Sequence, residues 1–91
     1  GLETAPQTEY TMTATQKAKQ QIRDLQEILE LIEYFEQEKN LYISTIEYAK
    51  VEMIDCPSHI YTSLKESTEL LNHNIDRWNE LTNAKLTKVT E

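Results

Sequence analysis

The feature that most constrains this chain is an apolar stripe that recurs at alternating steps of four and three across residues 14–53. Its members are Ala14, Ala18, Gln21, Leu25, Ile28, Ile32, Phe35, Lys39, Tyr42, Ile46, Ala49 and Met53. Only Gln21 and Lys39 among them are polar. This is a heptad seam, and no Gly or Pro interrupts it. A helix of that length is about 60 Å long at 1.5 Å per residue. It cannot bury its stripe against itself, so it requires a second helix from this chain or another.

The rest of the sequence narrows the fold to all-α. One Gly and two Pro in 91 residues leave no material for hairpin turns. The expected architecture is a long antiparallel helical hairpin, or coiled-coil-like bundle, in one domain. Residues 1–12 have no helical period and read as an extended or disordered arm, with Tyr10 available to pack on a partner. Thr13 or Thr15 is placed to cap the long helix, expected over residues 13–54. The run Asp55, Cys56, Pro57, Ser58 breaks the pattern, because Pro lacks an amide donor and disfavours helix at the residue before it. Either Pro57 opens the next helix or Ser58 caps it. A second helix is expected over residues 58–89, with apolar residues at Leu64, Leu71, Ile75, Trp78, Leu81, Leu86 and Val89. Ser67, Thr68 and Asn74 dilute its stripe, and its last residues are expected to fray. An alternative is a compact three-helix bundle turning near Lys39 and Asn40, where Glu36, Gln37 and Glu38 interrupt the apolar pattern. The register runs unbroken from Phe35 to Tyr42, which argues for continuity.

Charge narrows the partners. The formal net charge of −7 opposes nucleic acid, whose binding draws on Lys and Arg at phosphates, and opposes anionic membrane surfaces. A charged partner is expected to be basic. No apolar run approaches the roughly 18 residues that span a bilayer, so no direct membrane insertion is expected. Cys56 is alone, which excludes an internal disulfide and leans towards a reducing, cytoplasmic setting.

No catalytic constellation stands out, and no catalytic residue, cofactor or metal is assigned. Cys56 and His59 have one further His, His73, and zinc requires four ligands. Glu69, His73 and Asp76 can share a helix face, but the di-iron pattern needs a repeated Glu-x-x-His.

The expected function is a non-enzymatic helical interaction or assembly module. It self-associates or docks into a larger complex through the seam. Leu25, Ile28, Ile32, Phe35, Tyr42, Ile46, Met53 and Trp78 are the expected interface, and Gln21 and Lys39 set specificity, because a polar seam residue fixes register at a cost in stability. Tyr48 lies off the seam and is the candidate contact for a second partner. The alternative is an excised helical segment of a membrane-attached or surface protein, such as a sensor ectodomain or the core of a fusion or attachment protein. A start at Gly1 rather than Met is compatible with it.

Overall fold

The computed structural model describes residues 12–91; the expected arm, apart from Met12, lies outside them. Two helices form a hairpin, α1 over Ala14–Val51 and α2 over Ser58–Thr82. The sequence starts α1 with a reciprocal cap. The Thr13 hydroxyl accepts from the Gln16 amide at 3.1 Å, and the Gln16 side chain accepts from the Thr13 amide at 2.8 Å. Two of the helix's free donors are satisfied this way. α1 then runs 38 residues without a turn near Lys39 and Asn40. Glu36, Gln37 and Asn40 simply face water there. The three-helix alternative is therefore not the fold.

α1 stops at Val51 rather than at residue 54, and the backbone shows why. Met53 takes the left-handed conformation, with φ 57°. The Met53 amide donates to the Lys50 carbonyl at 3.2 Å, and the Ile54 amide reaches back to the Ala49 carbonyl at 3.0 Å. These are the two bonds of a Schellman cap, which consumes the carbonyls left free at a helix end. Glycine is the usual residue at this position, because it has no Cβ to clash. Here a methionine holds it. Pro57 then sits at the N-cap of α2 with extended geometry, and its carbonyl accepts from the Ile60 amide at 3.0 Å. No side chain caps α2, so Ser58 does not take that role.

α2 also ends early, at Thr82 instead of residue 89. Asn83 adopts φ 58°, a left-handed stop that asparagine tolerates. The remaining chain is extended and turns back along α2. Two asparagines on α2 hold it. The Asn79 side chain donates to the Leu86 carbonyl at 3.0 Å and accepts from the Leu86 amide at 2.9 Å. The Asn72 side chain does the same to Val89, with both bonds at 2.8 Å. Each carboxamide thus stands in for a peptide unit of a neighbouring strand. Helical continuation through Leu86 and Val89 would leave both asparagines without these partners.

The helices run antiparallel, with Gln21 reaching the Leu81 carbonyl across the open end at 3.4 Å. The molecule is a rod of 76 × 25 × 13 Å with a radius of gyration of 20.5 Å. A compact domain of this length has about 12 Å. Two helices side by side expose the outer flanks of every contact residue. Yet Ile28 is 0% exposed and Leu71 only 1%. The returning tail explains this. Ile28, Ile32, Leu71 and Ile75 form the main core, and Val89 packs against it together with Phe35 and Trp78. Three chain segments meet there instead of two. Nearer the turn, Ile46, Ala49 and Leu64 are buried. On α2, Ser67, Thr68 and Asn74 are buried rather than diluting, which restores a regular three-four face. Thr68 returns its hydroxyl proton to the Leu64 carbonyl, and Asn74 donates to the Leu70 carbonyl while accepting from Arg77. The polar atoms of Thr68 and Asn74 are thus paired within α2, so small side chains permit close helix approach at little desolvation cost.

Candidate functional site

The seam residues divide into two groups. Leu25, Ile28, Ile32, Phe35, Tyr42, Ile46 and Trp78 are buried or half-buried within the hairpin. Ala14, Ala18 and Gln21 are exposed, because α1 overhangs the end of α2 by about two turns. Met53 is not on the seam at all; it lies past the helix end and is 92% exposed. Of the two polar seam residues, Gln21 binds a carbonyl in the last turn of α2, and Lys39 is half-buried beside an acidic cleft. Among the described residues the buried polar ones are Ser67, Thr68 and Asn74, all on α2 and none of them on the seam of α1.

Closing the hairpin leaves a second face on α1. Leu31, Tyr34, Glu38, Leu41, Thr45 and Tyr48 repeat at alternating steps of three and four, rotated away from the seam by more than a right angle at Tyr34, Leu41 and Tyr48. Those three are 53%, 60% and 62% exposed. Val51 extends the face and is also exposed. Tyr34 packs its ring edge against Phe35, with centroids 5.1 Å apart, which links the outer face to the core. Beside it, the Tyr42 hydroxyl donates to Glu38 at 3.1 Å. That hydrogen bond, then desolvation and the Glu38 charge, raise the Tyr42 pKa above the usual tyrosine value.

A third feature is the polar row on α2. Asn72, Asp76 and Asn79 fall at helical spacing on one face, and Asp76 pairs with Lys88 of the tail at 3.1 Å. A cleft of about 460 Å³ continues past Val89 and is lined by Glu33, Glu36, Gln37, Lys39, Asn40 and Leu71. Sequence reasoning did not single out Asn72 or Asn79. The available signal was two asparagines two turns apart, in a helix where asparagine is a poor former.

Cys56, His59 and His73 do not converge. Cys56 is a half-buried free thiol at the turn. His73 stands about 21 Å along α2 from His59, at 1.5 Å per residue. Among the described residues no three His, Cys, Asp or Glu side chains gather as a metal site would require, and no helix is long and apolar enough to cross a membrane. Comparison with known proteins brings no parallel: no family model, curated protein or solved structure matches the chain.

Proposed function

We propose that this chain is a non-enzymatic helical assembly module that docks through the outer face of α1. The observation that carries the reading is the second three-four stripe, with Tyr34, Leu41 and Tyr48 left half or more exposed after the hairpin has closed. Aromatic and leucine side chains in a row at heptad spacing supply the anchors a helical partner packs against. The row is symmetric about Leu41, with a tyrosine two turns to either side. A second copy lying antiparallel across a two-fold axis at Leu41 sets each Tyr34 opposite the other chain's Tyr48, the self-complementarity that a two-fold interface needs. The seam residues serve this role indirectly, by holding α1 straight as a platform.

Sedimentation equilibrium over a wide concentration range tests the reading. The native chain should associate, and Leu41→Glu should remain monomeric with unchanged helicity. Each chain carries −7, so association should strengthen between roughly 0.05 M and 0.5 M salt as the Debye length shortens. A native chain that stays monomeric throughout, and that loses no binding to a helical partner on Leu41→Glu, would remove the outer face from the account.

A further inference from the structure

We infer that the α2 face bearing Asn72, Asp76 and Asn79 is a binding site for an extended basic–apolar peptide of a partner protein. Residues 83–91 fill it in cis. The site lies on a different face from the one proposed above, so either can fail without the other.

The chemistry of the ligand is read from what the site already holds. Each asparagine makes a donor and an acceptor bond to one residue's backbone, at Leu86 and at Val89. Such a clamp recognises extended main chain and is indifferent to side chains. The two clamps match in pitch. Asn72 and Asn79 are about 10.5 Å apart along the helix, and Leu86 and Val89 are about 10 Å apart along an extended strand. Selectivity comes from the residues between and beside the clamps. Asp76 selects a basic side chain at the position of Lys88. The core at Leu71 and Ile75 selects an apolar one at the position of Val89. The cleft past Val89 is lined by Glu33 and Glu36 together with Lys39, so the charge preference of the site rests on Asp76. Residues 83–91 have this composition, with Lys85 and Lys88 in a strongly acidic chain.

The cis segment is held lightly enough to be displaced. Its described polar contacts to α2 are five hydrogen bonds and one ion pair whose side chains are about half exposed; Leu86 is 44% exposed, and Val89 is the tail residue that packs on the core. Segments with so few buried contacts open well below the global unfolding free energy. A partner's segment must still outcompete a tethered one, whose effective concentration is on the order of millimolar.

The test uses the full chain and a fluorescein-labelled synthetic peptide with the sequence of residues 83–91. Val89→Asp places a charge where the tail enters the core and frees the site. Fluorescence anisotropy should show the peptide binding Val89→Asp at least about tenfold more tightly than the native chain, as expected when a tethered competitor is removed. Adding Asn72→Ala and Asn79→Ala should abolish that gain, and a peptide carrying the Val89→Asp change should not bind. If Val89→Asp lowers helicity, Leu86→Pro takes its place, because it removes the amide that Asn79 accepts from without touching the core. No gain in affinity when hydrogen exchange shows the tail released overturns the inference. So does binding that survives loss of both asparagines. Tail-dependent dimerisation of the native chain, lost on Val89→Asp, overturns it too, since the occupant in trans is then a second copy.

Discussion

Replacing Met53 by glycine should stabilise the hairpin. Met53 holds the left-handed position of the cap that ends α1, at φ 57°. A side chain with a Cβ pays about 1–2 kcal/mol in that region. Glycine removes the clash but brings a more flexible unfolded chain, which returns about 0.4–1 kcal/mol. Nothing else changes, because Met53 is 92% exposed and both cap bonds are made by backbone atoms. The net gain is about 0.5–1 kcal/mol, or roughly 3–6 °C in Tm for a domain of this size. Urea and thermal unfolding followed by circular dichroism at 222 nm measure it. The opposite sign is expected if α1 continued along its seam through Met53, since glycine inside a helix costs about 1 kcal/mol and the seam would lose a side chain. A Met53→Gly chain less stable than the native one would refute the cap.

Leu71→Ala should cost about 3 kcal/mol, as truncating a fully buried leucine leaves a cavity that a thin rod cannot fill; urea unfolding reads the loss, and a change under 1 kcal/mol would contradict the three-segment core. Asn83→Ala should weaken the turn into the tail and lower hydrogen-exchange protection at the Leu86 and Val89 amides, while amides in the middle of α1 are unaffected. The raised Tyr42 pKa means its hydroxyl keeps a proton that the unfolded chain gives up at about pH 10. The stabilisation is complete below that pH and is lost as pH rises through the folded value, so ultraviolet titration should show a tyrosine step above about pH 10 that Tyr42→Phe erases.

The long helix and the hairpin were legible because the seam of α1 is unbroken and Pro57 punctuates the chain once. The stops were not. Met53 ends α1 although methionine carries no left-handed preference, and its seam position argued for continuation. The cap forms because the chain has to reverse before Pro57. The end of α2 is hidden in the sequence for a related reason. Leu86 and Val89 continue the helical spacing, and this outweighs the weaker local signal of β-branched Thr87, Val89 and Thr90. What decides it lies a few turns back, at Asn72 and Asn79, whose carboxamides pair with Leu86 and Val89. Periodicity reports which residues are apolar, not which side chain supplies a backbone's hydrogen bonds. The same blindness makes Ser67, Thr68 and Asn74 look like dilution, although the polar atoms of Thr68 and Asn74 are paired within α2 and all three are small enough to suit the interface. The outer face was half visible. Tyr48 stood out as off the seam, but Tyr34 and Leu41 join it only once α2 has claimed the other side.

The central claim is that the chain buries its own seam. Circular dichroism at 222 nm across a thousandfold dilution series, with light scattering on the same samples, tests it most directly. Helicity that stays constant while the mass changes or does not is the predicted result, because α2 and the tail cover the seam within each chain. Helicity that falls as the mass falls would contradict it, since the seam would then be closed by another copy.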